Sequence, residues 1–181
     1  MKKFSDPSDG LCWAARKGYR DSVAMYMSQG ADDWNLALWE AARSGHCDLV
    51  ELFISRGATE WEVPFNDACL RGHFAVVKTF MSHRPAKLDY DKALASASYM
   101  GHRDIVDYLI SRELAHNVNW ALNEAARGNQ REIVDLLISN GASDWDMARY
   151  QANKGGHHEL AAFFNEQIEK RDRDTITMGP E

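Results

Sequence analysis

One small residue recurs along the chain at nearly constant intervals, and this periodicity restricts the possible folds more than any other feature. The residue is Gly five times and Asn once, and the intervals are 27, 27, 29, 28 and 27 residues. Its positions are Gly18, Gly45, Gly72, Gly101, Asn129 and Gly156. Gly and Asn are the residues that most readily adopt the left-handed conformation at the end of a helix. Self-similarity at this period predicts a repeat architecture in which each repeat is one small supersecondary unit.

Each repeat carries the pattern of two amphipathic helices around this turn residue, which we number as position zero. Alanine stands at −4 in every repeat, a large apolar residue stands at −7 in five of the six, and apolar residues mostly occupy +4, +5 and +8. These spacings are typical of helices with one buried face. Five repeats carry a good N-cap residue at −10, so we expect the first helix to begin there. Those residues are Ser8, Asn35, Asp91, Asn119 and Asp146.

Two stretches of this pattern resemble the signature of the ankyrin-repeat family. Residues 41–52 read AARSGHCDLVEL and lead to a Gly-Ala pair at 57–58, and residues 125–137 lead to the same pair at 141–142. The resemblance extends over about residues 8–168. It implies an all-α, ankyrin-like helix-turn-helix solenoid of about six repeats. Ordinary ankyrin repeats have about 33 residues and a T-P-L-H motif after a β-hairpin. The period here is shorter and the motif is absent, so we expect shortened or absent hairpins.

The short linkers carry an aromatic residue at −11, in Trp34, Trp61, Tyr90 and Trp145, whereas Val118 departs from the series. We expect these rings to pack at the entrance of the first helix, where the hairpin is missing. The short form, with Asp-Trp after Gly-Ala, is similar to repeats abundant in large DNA viruses of amoebae. We divide the chain into an N-terminal arm at 1–7, the solenoid at 8–168 and a charged, disordered tail at 169–181.

The resemblance implies a protein-protein interaction module that binds a partner on its concave face, because the family has no shared catalytic residues. Positions −9, −5 and −2 share the exposed side of the first helix, and their chemistry varies between repeats, as expected of a binding face or of a face under no constraint. Trp, Tyr and Arg are the usual hot-spot residues of interfaces. The partner-binding candidates are Trp13, Arg16, Glu40, Arg43, Asp67, Arg71, Tyr99, Trp120, Glu124 and Arg127.

Two of these assignments have alternatives. Trp13 and Trp120 could instead pack between repeats. The basic row beside the turns could meet an acidic partner, or it could be a solvated row that pairs with acidic residues one helical turn away. The basic row consists of Arg16, Lys17, Arg43, Arg71, Arg127 and Lys154, and the acidic residues are Glu40, Asp67 and Glu124.

Composition argues against several classes of function. The net charge is −6, which disfavours nucleic acid as a partner, and no stretch approaches the ~18 apolar residues of a membrane span. The three cysteines form no paired motif and are expected to be reduced thiols. We therefore expect a soluble, intracellular, cytoplasmic protein, in the host cytoplasm if it is viral.

Four histidines recur one residue after the turn, as His46, His73, His102 and His157. We expect them to have a structural role in capping the second helix, since repeats about 10 Å apart would separate them too widely to share zinc. No P-loop, GxSxG or HExxH motif occurs, so no enzyme, metal or cofactor is predicted. The adaptor hypothesis predicts a monomer. The alternative is a self-assembling structural or virion-associated protein that would expose Tyr26, Met27 and Tyr150.

Overall fold

The structure is a computed structural model, in which the chain forms two compact units, residues 1–89 and residues 90–181. The structure describes residues 4–83 and 88–177, with side chains as far as residue 174. Within these ranges it contains twelve α-helices and no β-strand, as the all-α prediction requires. Each unit contains three helix pairs.

The helices alternate between a first and a second helix of each repeat. The first unit contains α1 Pro7–Lys17, α2 Arg20–Ser28, α3 Trp34–Arg43, α4 Cys47–Ser55, α5 Glu62–Leu70 and α6 Phe74–Ser82. The second unit contains α7 Tyr90–Met100, α8 Arg103–Ser111, α9 Val118–Arg127, α10 Arg131–Ser139, α11 Trp145–Lys154 and α12 His158–Thr177. Within each unit the first helix of one repeat packs against the first helix of the next, as α1 does on α3 and α9 on α11.

The core of each unit follows the positions that the sequence pattern predicts. Ala41 at −4 and Leu38 at −7 are fully buried, and so is Phe53 at +8. Small residues at −4 let neighbouring helices approach closely, whereas each buried Phe or Leu contributes about 1.5–3 kcal/mol by leaving water. The ring of Phe65 meets that of Phe80 edge-on at 6.1 Å, which joins the two helices of the third repeat.

The turn residues adopt the left-handed conformation that the spacing predicts. Their φ angle is +82° at Gly45, for example, and +58° at Asn129, where Asn replaces Gly. This conformation reverses the chain and lets the next backbone N–H return to the first helix. His46 N–H thus donates to the Ala41 carbonyl at 3.0 Å.

The predicted N-caps at −10 were wrong by two residues. Five of the six first helices begin at −11, and α5 begins at −10. The capping side chains stand at −12, where Asp33 accepts from Leu36 N–H at 3.0 Å and Asn117 accepts from Trp120 N–H at 3.0 Å. In three repeats the polar residue at −10 reaches the linker to the next repeat instead. The Asn35 Oδ1 atom accepts from the N–H groups of Thr59 and Glu60 at 2.8 and 3.1 Å. These bonds hold the linker in the place of a hairpin.

The aromatic residues at −11 are half-buried, and their contacts agree with the predicted packing. Trp34 stacks on Phe53 at 6.5 Å between centroids, and Trp61 lies 6.1 Å from Phe80. The indole N–H of Trp61 donates to the Ala58 carbonyl at 2.7 Å. Each ring therefore covers the second helix of its own repeat.

The chain ends differ from the predicted arm and tail. Helix α1 begins at Pro7 with Asp6 as its N-cap, and residues 1–3 lie outside the described residues. Helix α12 continues to Thr177, so helix occupies residues 169–177 of the predicted disordered tail, and residues 178–181 lie outside the described residues. The guanidinium of Arg171 lies 3.6 Å from Asp146. The domain boundary at residue 168 stays a prediction.

Candidate interaction surface

The large apolar side chains that the protein leaves exposed are concentrated on the first helices. Seven such residues occur in the described ranges, six on first helices and one in a turn. They are Tyr19 in the turn, Leu36, Val63, Met100, Trp120, Met147 and Tyr150. Four of them occupy position −9. We call the exposed side of the first helices, at positions −9, −6, −5 and −2, the first-helix face.

The second helices expose charged side chains instead. Arg20 of α2 pairs with Asp48 of α4 at 3.0 Å, which links two repeats. Within α10, Arg131 pairs with Asp135 at 3.0 Å, one helical turn away. Such exposed pairs contribute only about 0.2–1 kcal/mol each, so their main effect is to keep this side hydrophilic.

The recurring histidines lie at the N-cap position of the second helices, but their side chains do not cap them. The His46, His73 and His102 side chains make no cap hydrogen bond. The Nε2 atom of His73 lies 3.1 Å from the Arg43 carbonyl at the end of the preceding first helix, and that of His157 lies 3.0 Å from the Arg127 carbonyl. The capping prediction was therefore wrong, because the ring satisfies a helix end in the neighbouring repeat.

Gln130 occupies the same repeat position and makes the same contact. Its Nε2 donates to the Tyr99 carbonyl at 3.3 Å. His46 follows the pattern, with its Nε2 atom 3.2 Å from the Arg16 carbonyl. A carbonyl only accepts, so the ring nitrogen that faces it carries the hydrogen. We call these contacts the carbonyl ladder.

In the second unit, three of the candidates form one cluster. The guanidinium of Arg127 lies 5.1 Å from the centre of the Tyr99 ring and pairs with Glu124 at 3.1 Å. Trp120 is 38% exposed on the same helix. The predicted pairing of the basic row with acidic residues one turn away is confirmed for Arg127 and Glu124. Arg and aromatic side chains are thus held together on the first-helix face of this unit.

In the first unit, the corresponding candidates are arranged differently. The guanidinium of Arg43 lies over the Trp39 ring at 4.7 Å, and the Trp39 indole N–H donates to Asp67 Oδ2 in the next repeat at 2.8 Å. Glu40 is half-buried, and its Oε2 atom has neither solvent contact nor a hydrogen-bond partner among the described residues. In the part of the chain that the structure describes, neither Glu40 nor Asp67 makes the predicted ion pair with the basic row.

The remaining candidates lie at two places on the first unit. Trp13 is half-buried and packs between Phe4, at 5.7 Å, and Tyr19, at 5.5 Å. Arg16 and Arg71 are exposed beside their turns. These contacts lie within the first repeat and the residues before it, and part of the Trp13 ring stays open to solvent. The binding role of Trp13 stays a prediction.

Comparison with known proteins identifies this architecture. A family model described as "Ankyrin repeats (3 copies)" matches residues 38–121 and residues 65–148, which together span more than half of the chain. The chain belongs to the ankyrin-repeat family. The solved structure of the human ASB11 ankyrin repeat domain is similar, with a TM-score of 0.69 and 21% identity over 86% of this chain and 82% of that one. No curated protein matches.

Members of this family are generally protein-protein interaction modules, so the ankyrin repeats establish the class of function but name no partner. In the part of the chain that the structure describes, no group of three or more His, Cys, Asp or Glu side chains is placed to hold a metal ion. No helix in that part is both long and apolar enough to cross a membrane.

The cysteines of the ankyrin repeats are poor nucleophiles. Burial, followed by the nearby carboxylates of Asp33, Glu40, Asp9 and Asp6, raises the pKa of the Cys12 thiol to about 12. Burial alone raises the pKa of Cys69, which is fully enclosed, and it also raises that of Cys47. A thiol reacts as the thiolate, so the structure gives these residues no nucleophilic role near neutral pH.

Sequence reasoning missed part of this surface. Trp39 was not a candidate, although it contacts both Arg43 and Asp67. Leu36, Val63 and Met147 lie at the exposed position −9 and are absent from the candidates, which are aromatic, basic and acidic residues. The sequence signal for these residues is a large apolar residue at −9, because the helix pattern places this position on the solvent-exposed side.

Proposed function

We propose that this ankyrin-repeat protein is an adaptor or scaffold that binds a partner protein on its concave face, the side that first helices line in this family. The observation that carries the proposal is the concentration of exposed apolar side chains on the first-helix face. An exposed apolar surface is costly unless a partner covers it. The described parts of the second helices carry no large apolar side chain of comparable exposure.

The candidate residues of the second unit supply the interface chemistry. Trp120 offers a broad apolar surface, and Arg127 is held by Tyr99 and Glu124 in one orientation. A side chain that is already ordered loses less conformational entropy on binding, and Trp, Tyr and Arg dominate interface hot spots. The proposal includes no catalytic role, cofactor, nucleic acid or membrane. We also propose that the protein is a monomer and that it is located in the cytoplasm, or in the host cytoplasm if it is viral.

The test is affinity purification from the native cell with wild type and with Trp120→Ala plus Arg127→Ala. The matched control is Asp107→Ala plus Asp135→Ala, which removes two exposed charges from α8 and α10 on the opposite side of the same unit. We expect a partner that is lost only with the first variant, while the helical circular dichroism of all three proteins agrees. A partner retained by the first variant would refute this location for the binding site.

The second candidate function is self-assembly into a structural or virion-associated particle. Of its three predicted surface residues, Tyr150 is 57% exposed, Met27 is half-buried and Tyr26 is buried at 3%. The expectation that Tyr26 is exposed was therefore wrong, because its ring packs beside Gly10 and Phe4. A molar mass that rises with concentration, and that Tyr150→Ala returns to the monomer value, would favour self-assembly over the adaptor.

A further inference from the structure

Two equivalent acidic residues of the first-helix face have different surroundings. Glu124 and Arg127, at −5 and −2, form an ion pair at 3.1 Å. Glu40 and Arg43 occupy the same two positions in the second repeat, but no ion pair joins them, and the Arg43 guanidinium lies over the ring of Trp39 at 4.7 Å. Arg127 also lies over a ring, that of Tyr99, and it still pairs with Glu124. The second repeat therefore differs in that its guanidinium contacts a ring alone.

Among the residues that the structure describes, no cation forms an ion pair with Glu40. Its Oε2 atom is shielded from water and accepts no hydrogen bond from the described residues. A carboxylate that loses hydration is costly unless a donor or a cation replaces the lost water. No described residue supplies such a group to the Oε2 atom.

The surroundings of Glu40 are acidic and apolar. Asp67 holds the same position in the next repeat, fixed by the Trp39 indole at 2.8 Å. Leu36 and Val63, one helical turn before the two carboxylates, are 41% and 62% exposed. We call the set of Leu36, Glu40, Val63 and Asp67 the Glu40 surface.

We propose that the Glu40 surface binds an extended segment of the partner protein that carries an arginine or lysine next to apolar residues. This inference rests on the proposed function and names the chemistry of its partner. The basic head pairs with Glu40 and, in the adjacent repeat, with Asp67 through charge-assisted hydrogen bonds. Its aliphatic stem and the neighbouring apolar side chains cover Leu36 and Val63.

The spacing of the repeats restricts the bound segment further. Packed helices lie about 8–10 Å apart, and an extended chain advances about 3.3 Å per residue. About three residues of the segment therefore span one repeat. The segment that fits places two apolar residues about three positions apart, with the basic residue beside them.

The probe is a library of random twelve-residue peptides displayed on phage and selected on the immobilised full chain. We expect the wild-type chain to enrich peptides with Arg or Lys beside apolar residues. Glu40→Gln is expected to weaken the best of these peptides at least tenfold, and Asp67→Asn, which keeps an acceptor for Trp39, is expected to weaken it as well. The matched control is Glu51→Gln, the same change in the same unit but on the second helix α4, and its affinity should stay within twofold of wild type.

A second measurement separates this contact from an indirect effect. Replacing the basic residue of the selected peptide by Ala should weaken its binding to wild type as much as Glu40→Gln does, and it should cause little further loss in the Glu40→Gln chain. Unchanged circular dichroism shows that the variants fold.

Three results would overturn the inference. Selected peptides without a basic residue, or peptides bound equally by wild type and Glu40→Gln, would overturn it while leaving the adaptor proposal in place. Enrichment of acidic peptides would assign the basic row to the interface instead. If the wild-type chain enriched no peptide and captured no partner in the purification above, both proposals would fail together.

Discussion

The carbonyl ladder predicts that one histidine stabilises the stacking of two ankyrin repeats. We consider His73, whose Nε2 atom lies 3.1 Å from the Arg43 carbonyl at the end of α3. In His73→Ala that carbonyl loses its side-chain donor in a partly buried place, which costs about 1–3 kcal/mol. The ring also packs against Gly45, so its removal leaves a gap. We expect His73→Ala to lower the free energy of unfolding by about 2 kcal/mol, on the order of 4–8 °C in the melting temperature.

The chain itself provides the control for this change. Gln130 makes the equivalent bond in the fifth repeat, so His73→Gln should keep the hydrogen bond and lose only part of the packing. We expect it to be destabilised by about 1 kcal/mol or less, because only part of the packing of the ring is lost and no polar group is left without a partner. His158→Ala removes an exposed imidazole that is not part of the ladder, and its effect should lie within about 0.5 kcal/mol.

The assay is equilibrium unfolding in urea, followed by circular dichroism, with the slope compared between variants. If His73→Ala were as stable as His158→Ala, or if His73→Gln were no better than His73→Ala, the ladder would not contribute as argued.

Three further predictions follow from the backbone and the thiols. Glu113 has a φ angle of +54° where other repeats use Gly, so Glu113→Gly should raise the free energy of unfolding by about 1 kcal/mol in the same urea titration. A Cβ atom at Gly128 would overlap the Tyr99 carbonyl oxygen. Such overlap lowers the free energy of unfolding by about 1–3 kcal/mol or more, so Gly128→Ala should lower the melting temperature by roughly 4 °C or more. The pKa of Cys12 is raised to about 12, so a thiol reagent should label it very slowly at pH 8 and faster as the pH rises, whereas rapid labelling at pH 7 would contradict its burial.

The repeat architecture could be predicted because it depends on patterns within one repeat. A left-handed turn needs Gly or Asn, and alanine at −4 lets helices approach closely, so both features appear directly in the residue types. The structure agrees at Gly45 and Asn129, and at Ala41. Local backbone conformation and burial are thus determined by residues close in the sequence.

The contacts between repeats could not be predicted in the same way. Asn35 and Asp33 are both good cap residues two positions apart, and the sequence does not show which one turns to the next repeat. The same limit applies to His73, which was expected to cap its own helix. A partner about thirty residues away in the sequence leaves no local pattern.

The candidate site was predictable in position but not in detail. Glu40 with Arg43 and Glu124 with Arg127 have the same spacing, yet only the second pair forms an ion pair. Arg127 contacts both a ring and its carboxylate, whereas Arg43 lies over Trp39, a neighbour that pairwise charge rules leave out. Which groups a guanidinium contacts depends on side-chain packing, which requires the structure.

The arrangement of the repeats also bears on why the first-helix face varies. The carbonyl ladder and the polar residue at −10 connect repeats through backbone groups and use no side chain at −9 or −2, whereas Asp67 at −5 accepts from Trp39 of the preceding repeat. Side chains at −9 and −2 are therefore free to change without loss of these contacts. A face under no other constraint should be polar, because exposed apolar side chains favour aggregation. Leu36, Val63, Trp120 and Met147 are apolar and exposed at one repeat position, which favours a bound partner over the absence of constraint.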